Sequence, residues 1–324
     1  MRIMKAYGAR TLFLKNDLRG FLMGEQSKYR LITRSDFDGL VCAMLLREKE
    51  LIDDILFVHP KDMQDGKIPV SDRDITTNLP YVPGVHLAFD HHHSEAVRME
   101  NRPENHILVA DAPSASRVVY DYYGGAETFH NVDPELMAAV DQADTAQFTD
   151  EEIFEPTGWA LMNFIMDPRT GLGRFKEFTV SNYDLMMELI DYCRNHSVEE
   201  VLALPHVKER VDLYFEQEYY FKTQIQARGE VHDNLIVLDF RNEEVLYAGN
   251  RFMVYALFPQ CNISMHIHWG KDRQNIEFAI GKSIFDRSSK TNVGELCLQF
   301  GGGGHEAAGT CQVDVFDAHK VKKS

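Results

Sequence analysis

The chain has 324 residues, which is long enough for two domains that each bury a core of their own. Its 34 basic and 50 acidic residues give a net charge of −16, and an acidic surface of this kind repels long nucleic acid duplexes. No apolar run approaches about 18 residues, so no membrane-spanning helix is expected.

Strands alternate with helices over the first half of the chain. Residues 1–26 are a mixed N-terminal extension to which no chemistry is assigned. Strands are predicted at residues 29–33, 54–58, 74–79, 85–89 and 106–110. A helix follows Gly39, and another begins after Pro113 and ends at Gly124. The alternation predicts an α/β domain over residues 27–196, built on a doubly wound, mostly parallel sheet with both faces covered.

The second half begins with helical patterns and returns to strands. Residues 134–195 are predicted to be mostly helical, with a Gly/Pro loop at residues 166–174 that carries two arginines. Residues 197–228 are predicted to form a helical connector between the two domains, because the segment has apolar residues to bury. A smaller α/β domain is predicted over residues 229–324. Its strands are expected at residues 235–240, 253–258, 263–269 and 276–281, and its helix at residues 292–300.

The most distinctive motif follows the apolar residues 87–89, where Asp90, His91, His92 and His93 stand in succession. The pattern predicts a buried strand whose last residue lies at the carboxyl edge of the sheet, where open α/β sheets bind their ligands. Carboxylate and imidazole groups suit Mn²⁺, Mg²⁺ or Zn²⁺. A solvated histidine-rich loop is the alternative, but the position in mid-chain behind a strand favours a metal site.

Two further groups of acids follow predicted elements. Asp36 and Asp38 stand between the first strand and its helix, where Gly39 permits a sharp turn. Such a pair can bind cations, although an N-cap or Asx-turn gives the same pattern. Asp144 follows a helical segment and can reach the same edge of the sheet. Asp141, one helical turn earlier, competes for this role, and an ordinary helix-end loop remains the alternative.

Four glycines at residues 301–304 precede His305. Without Cβ atoms, the backbone N–H groups of Gly302, Gly303 and Gly304 can approach and surround an anion. His305, or the N-terminus of a helix at residues 306–308, would add a donor. Arg287 and Ser288 stand nearby in sequence and are suited to phosphate contacts, although a solvated charged turn is common. A flexible linker is disfavoured, because a helix and a strand flank the glycines.

Together these motifs resemble those of the DHH superfamily of phosphoesterases, from about Tyr29 to Val315. They are Asp-Phe-Asp-Gly at 36–39, Asp-His-His at 90–92, Asp-Thr-Ala-Gln-Phe at 144–148 and Gly-Gly-Gly-Gly-His at 301–305. The last motif resembles the DHH-associated C-terminal domain. Similar members include nanoRNase/pAp phosphatases, RecJ-like exonucleases, cyclic-dinucleotide phosphodiesterases and exopolyphosphatase-like proteins.

The resemblance implies a site with one or two Mn²⁺ or Mg²⁺ ions, over which the second domain holds the substrate. The metal-binding residues that it implies are Asp36, Asp38, His91 and Asp144, with Asn78 at the place of a bridging acid. It implies a substrate-side role for His92, and we predict that His92, Asp90 and Arg34 take part in catalysis. The substrate-binding residues that it implies are Gly302, Gly303, Gly304, His305, Arg287, Ser288 and His93.

The sequence departs from the family pattern at two places. The family usually has a histidine or an acid just upstream of the paired acids, where this chain has Ile32 and Arg34. It also has a bridging aspartate where this chain has Asn78, whose neutral carbonyl oxygen supplies no charge. We hypothesise that Asp38, His91 and Asp144 hold one cation, and that Arg34 partly replaces a second, weaker one.

These observations predict a metal-dependent phosphoesterase that hydrolyses ester or anhydride bonds of a small nucleotide, a short oligonucleotide or polyphosphate. The alternative is a DHH-fold protein that binds or senses nucleotides without turnover. Activity is expected to fall below about pH 6, because the ligand imidazoles must be neutral. A homodimer is expected as the commonest assembly. Scattered cysteines without a C-x-x-C pair, and a start without a long apolar segment, favour the cytoplasm.

Overall fold

A five-stranded sheet forms the centre of the first half of the chain. The structure, a computed structural model, describes residues 28–92, residue 95 and residues 101–323, so the N-terminal extension and His93 lie outside the described residues. The strands are β1 (Tyr29–Thr33), β2 (Ile52–Phe57), β3 (Asp74–Thr77), β4 (Leu87–Asp90) and β5 (His106–Leu108). Their order is β2-β1-β3-β4-β5, and every neighbouring pair is parallel. The predicted parallel α/β sheet is therefore confirmed.

Two helices alternate with the strands of this sheet, and the chain after its last strand is mainly helical as far as Arg228. They are α1 (Phe37–Glu48), α2 (Pro60–Gln64), α3 (Ala115–Tyr122), α4 (Pro134–Asp144), α5 (Asp150–Phe154), α6 (Gly158–Met166), α7 (Asn182–Tyr192), α8 (Val198–Leu202) and α9 (Pro205–Arg228). Helices α8 and α9 occupy the stretch that the sequence marks as a helical connector. In the described residues no helix is both long and apolar enough to cross a membrane.

Both faces of the parallel sheet are covered. On β1, Leu31 belongs to the main core with helix α1, whereas its neighbour Ile32 packs with Met63 of α2 and with Leu79 in a smaller cluster on the other face. Side chains alternate across a strand, so this division shows apolar groups on either side. Helix α1 is buried from Phe37 to Leu46, which explains why its sequence is apolar nearly all round.

The second sheet has six strands and mixed directions. Its strands are β6 (Gly229–His232), β7 (Leu235–Asp239), β8 (Ile263–Trp269), β9 (Ile276–Lys282), β10 (Gly303–Gly304) and β11 (Ala308–Val313). The order is β10-β11-β9-β8-β7-β6, and only β7 and β8 are parallel among its paired strands. The helices of this part are α10 (Met253–Leu257), α11 (Val293–Leu298) and α12 (Ala318–Lys323).

The strand predicted at residues 253–258 is wrong, because this stretch forms helix α10. A short apolar run does not by itself distinguish a buried strand from a buried helix. Here the topology decides, since β7 and β8 are parallel and the chain needs a crossover connection between them. Met253, Val254 and Tyr255 are buried on this crossover.

Candidate functional site

The polar residues of the predicted motifs meet at the carboxyl edge of the parallel sheet. Asp36 and Asp38 follow β1, Asn78 follows β3, and Asp90 ends β4. Strand β1 lies between β2 and β3, so this edge includes the point at which the strand order reverses. Ligands bind outside the carboxyl ends of strands at such points.

Asp38, His91 and Asp144 form a cluster at this edge. Each offers one ligand atom, and the three atoms lie within 4.8 Å of one another. The residues come from the start of α1, the end of β4 and the end of α4. Two carboxylates and one imidazole suit a divalent cation such as Mn²⁺ or Mg²⁺. The structure therefore brings together three of the predicted metal ligands.

Asp38 is fixed by the beginning of helix α3. Its Oδ2 accepts a hydrogen bond from Ala115 N at 3.1 Å, and its Oδ1 accepts one from Ser116 N at 2.8 Å. The positive end of the helix dipole thus faces the carboxylate. Burial, followed by the charge of Asp144, raises the pKa of Asp38 to about 6. The carboxylate is therefore ionised at neutral pH and held in one orientation.

His91 has the tautomer that a metal ligand requires. Its Nδ1 lies 3.1 Å from the carbonyl oxygen of Ala112, which can only accept, so Nδ1 donates and the lone pair of a neutral ring is on Nε2. Nε2 is 2.9 Å from Oδ2 of Asp144. Nε2 of His91 and Oδ2 of Asp144 are both able to accept, and at 2.9 Å they can either coordinate one cation together or share one proton.

The pKa values agree with this geometry. Burial alone would lower the pKa of His91, but the carboxylates of Asp144 and Asp38 raise it to about 9. Burial would likewise raise the pKa of Asp144, but its contact with His91 lowers it. In the absence of a cation, a proton therefore occupies the space between these ligands.

Asp141, which competes with Asp144 in the sequence, has other partners. It accepts hydrogen bonds from Ser114 Oγ at 2.7 Å and from Arg117 Nε at 2.9 Å. These contacts join helix α4 to the start of α3. The structure thus places Asp144, and not Asp141, beside His91.

Arg34 and Asn78 lie beside Asp36 on the other side of the site. Arg34 Nε is 3.0 Å from Asp36 Oδ2, and Asn78 Nδ2 is 3.5 Å from Asp36 Oδ1. Asn78 is buried with a positive φ of 55°, and its Oδ1 has no hydrogen-bond partner among the described residues. Ile32 is buried in the small core and offers no ligand. Gly39 is required here, because a Cβ atom would lie 2.0 Å from Arg34 O.

Asp90 orients the histidines that follow it. Its Oδ1 accepts hydrogen bonds from His91 N at 2.9 Å and His92 N at 3.3 Å, and it lies 2.7 Å from His92 Nδ1. Its Oδ2 is buried without a partner among the described residues. Buried polar atoms are normally paired, and the exceptions among the described residues of this site include an oxygen of Asp90 and an oxygen of Asn78. Both oxygens, like Nε2 of His91, can act as metal ligands, which is what a cation-binding site requires.

The glycine-rich motif of the second sheet lies across from these histidines. The rings of His92 and His305 are 6.0 Å apart and nearly parallel. Gly303 and Gly304 form strand β10 and pair with β11 in a hairpin. A Cβ atom at Gly302 would lie 2.1 Å from Thr310 O, whereas one at Gly303 would meet nothing within 4 Å.

Of the two donors considered for this loop, His305 and a helix N-terminus at residues 306–308, the structure excludes the second, because the chain passes from β10 to β11 without a helix. Backbone pairing of β11 with β9 explains this, because the strand continues the sheet to Val313. His305 remains beside the site without a helix N-terminus. Burial, followed by the charges of His92 and Arg34, lowers the pKa of its ring.

Arg287 and Ser288 lie in the loop between β9 and α11, and Arg287 contacts the first half of the chain. Arg287 Nη2 donates to the carbonyl oxygens of Thr145 and Ala146, at 3.1 and 3.2 Å, and so contacts the loop that follows Asp144. Ser288 Oγ accepts a hydrogen bond from Asn262. Their roles in substrate binding stay predictions, as does that of His93.

Arg169 borders the site and was not among the predicted site residues. It lies with Asp36, Asp38 and Asp144 along a narrow crevice. Burial would lower the pKa of its guanidinium, but Asp167 and the nearby Asp36 and Asp144 raise it. The sequence marks only its Gly/Pro loop with two arginines, and the aspartate two residues earlier is the signal that could have singled it out.

The fold and the site together define an α/β phosphoesterase of the metal-dependent kind. The chain is 61% identical to the pGpG-specific phosphodiesterase PggH from Vibrio cholerae, with a TM-score of 0.80, over 91% of this chain and 97% of that one. It therefore belongs to the DHH superfamily of phosphoesterases, as the motifs predict, and it is a metal-dependent phosphohydrolase.

A more distant structure shares the fold. RecJ from Thermus thermophilus in complex with Mn²⁺ has a TM-score of 0.51 at 13% identity, over 91% of this chain and 51% of that one. Neither the family models nor the curated proteins include a match to this sequence.

Proposed function

We propose that the enzyme hydrolyses the phosphodiester bond of a linear dinucleotide, with pGpG as its substrate. The observation that carries the proposal is the convergence of Asp38, His91 and Asp144 within a chain that is 61% identical to a pGpG-specific phosphodiesterase. A dinucleotide also agrees with the net charge of −16, which disfavours long duplexes.

The proposed cofactor is Mn²⁺ or Mg²⁺, held by Asp38, His91 and Asp144. Such a cation supplies a Lewis acid that polarises the phosphoryl group and activates water. The three ligands come from separate elements, and hydrogen bonds to Ala112, Ala115 and Ser116 hold two of them in place. Their donor set favours a hard cation over a soft one.

The remaining side chains act on the phosphate. His92, oriented by Asp90, contacts a phosphoryl oxygen from one side, and His305 contacts the substrate from the other. Arg34 places a fixed positive charge beside Asp36 and stabilises negative charge that develops in the transition state. The space beside Gly303 is open, since an added Cβ atom would meet nothing within 4 Å. Because the residue has no side chain, its backbone can approach the substrate there.

A hydrolysis screen tests this proposal. Purified protein with Mn²⁺ is given pGpG, pAp, a cyclic dinucleotide and polyphosphate, and products are separated by chromatography. We expect pGpG to be converted to GMP, at a rate that vanishes in Asp38→Ala and His91→Ala. The proposal fails if pGpG survives while another member of the panel is consumed.

Three further expectations remain predictions. A cytoplasmic location is supported by the five cysteines, which are all buried and unpaired. A homodimer is testable by light scattering on purified protein. Activity on polyphosphate has no support from the 61% identical relative, and the screen above decides it.

A further inference from the structure

A cavity of about 590 Å³ opens beside the metal cluster and takes no part in the function described so far. It lies between the loops that follow β1 and β2 and the helices α6, α7 and α9. Arg34 and Asp36 are among the residues that line it, so it is continuous with the site. Its volume is in the range of pockets that bind small molecules, about 300–1,000 Å³.

The walls of the cavity are mostly apolar. Ile165, Leu172, Leu185 and Met186 contribute aliphatic side chains, and Phe178 contributes an aromatic ring. An apolar lining with a few polar groups is typical of small-molecule sites and can bury the apolar faces of a nucleobase while its polar edges make a few directed contacts.

The charged side chains that line the cavity are three arginines and two aspartates, so its lining has a net positive charge. Arg34, Arg169 and Arg210 line it, against the carboxylates of Asp36 and Asp167. Arg210 is buried, with a side chain 4% exposed; it donates to the oxygens of His206, Val180 and Asn182, and its Nη1 lies 3.9 Å from the carboxylate of Glu209. A positive cavity in a protein of charge −16 favours a phosphorylated ligand.

Arg169 stands where the cavity meets the metal crevice, and it lines both. Asp167, itself buried, accepts from Arg169 Nε at 2.7 Å and from its backbone N at 2.9 Å. Within the described ranges, the two terminal amino groups of Arg169 make no hydrogen bond. A guanidinium that is fixed at Nε and open at its outer edge can bind two phosphate oxygens.

We propose that this cavity is a nucleoside subsite, which receives one nucleoside of the dinucleotide while Arg169 binds the phosphate between that nucleoside and the metal cluster. The inference rests on the proposed function and names a second binding region for its substrate. Recognition therefore involves the helices of the first half of the chain, in addition to the glycine hairpin of the second sheet.

Filling the cavity tests the subsite. Gly173 lines its mouth, and an added Cβ there would meet only Asn182 Nδ2, at 3.8 Å. Gly173→Phe and Leu185→Phe both insert a ring into the space, and the first alters no core residue. Met187→Phe is the matched control, because Met187 lies on the same helix as Leu185 but does not line the cavity.

We expect each filled variant to raise the KM for pGpG about 10-fold or more, with a smaller change in kcat, and the control to keep the parental KM. Arg169→Gln should also raise KM, and Arg169→Lys should restore part of the loss because it keeps the charge. Thermal unfolding confirms that each variant is folded. Parental KM values in both folded, filled variants would overturn the subsite.

Binding of GMP separates this inference from the proposed function. If the parent does not hydrolyse pGpG, the proposed function fails, but calorimetric titration with GMP still examines the cavity. We expect GMP to bind the parent and Met187→Phe alike, and to bind Gly173→Phe and Leu185→Phe about 10-fold more weakly or worse. Absence of GMP binding to the parent, or equal binding to all four proteins, would overturn the subsite.

Discussion

The two sides of the metal site differ in charge and in how their side chains are engaged. On the cluster side, Asp38, His91 and Asp144 hold three ligand atoms within 4.8 Å of one another. On the Arg34 side, the carboxylate of Asp36 already has a cation at 3.0 Å, and an amide, Asn78, lies where the family pattern has an acid.

We infer from this difference that Arg34 takes the place of a second cation beside Asp36. A guanidinium carries a permanent positive charge and needs no ligands of its own, so it can neutralise Asp36 where a second ion would bind. Asn78 contributes a carbonyl oxygen but no charge. We infer one strong cation position on the cluster side and a substituted one on the Arg34 side.

The largest expected effect comes from breaking the cluster side. Asp144→Asn removes a charged ligand, and we expect kcat/KM for the dinucleotide to fall about 1,000-fold or more, together with loss of tight Mn²⁺ binding. Steady-state kinetics and metal analysis of the purified variant measure both.

Asp141→Asn is the matched control, since Asp141 stands one turn earlier in helix α4 and contacts Ser114 and Arg117. This variant should unfold at a lower temperature but retain its metal. If the two variants lose activity equally, the assignment of Asp144 over Asp141 is wrong.

A smaller loss of activity is expected when Asp90, which contacts His91 and His92, is replaced. Asp90→Asn weakens the contact with His92 Nδ1 and leaves all three clustered ligands in the chain. Loss of such a supporting carboxylate typically costs about 10- to 100-fold in activity or metal affinity. We expect kcat to fall by this amount in saturating Mn²⁺, because the ring of His92 is held less firmly in one orientation. A parental kcat in the folded variant would show that Asp90 is merely structural.

The sequence predicts some residues of the site, whereas the positions of others depend on tertiary contacts. The strand that ends in Asp90, and the acids after β1, follow from apolar patterns that stop at a polar residue, because parallel strands share one carboxyl edge. The choice between Asp141 and Asp144 depends on which side chain Arg117 engages, and no local pattern encodes this contact. The position of Arg169 depends likewise on tertiary contacts, since helix α6 brings its loop to the edge of the sheet.

The second sheet was harder to predict than the first. Its strands β8 and β9 alternate clearly, whereas the short apolar stretch of α10 has no decisive period. The hairpin of Gly303 and Gly304 is defined by its pairing with β11, and glycines alone do not distinguish a strand from an anion-binding loop. Long-range pairing therefore decided the elements that the local pattern left open.

The Arg34 side is tested by counting ions. We expect the parent to hold one Mn²⁺ tightly, and Arg34→Ala to hold a second, weaker ion because Asp36 then lacks its cation. Mass spectrometric metal analysis and calorimetric titration give the stoichiometry. Arg30→Ala is the control, since it removes a comparable pair with Asp74 at the other end of β1. Two tightly held ions in the parent would refute the substitution.

The smallest expected effect is the release of a proton from the cluster side. The pKa of His91 in the metal-free fold is about 9, above its ordinary value of 6.5, so the ring is protonated at pH 7 and must lose about one proton when Mn²⁺ binds. The apparent affinity should therefore rise with pH until it levels off above pH 9.

The same shift has a consequence for stability. A raised pKa means that the protonated ring stabilises the metal-free fold fully below pH 6.5, and that this contribution is lost as the pH rises through about 9. Calorimetric titration of Mn²⁺ at pH 7 in two buffers of different ionisation enthalpy counts the protons, and His91→Gln should release none from this position. The proton between His91 and Asp144 would be contradicted if the parent released no proton at pH 7. It would also be contradicted if the number of released protons increased toward pH 9.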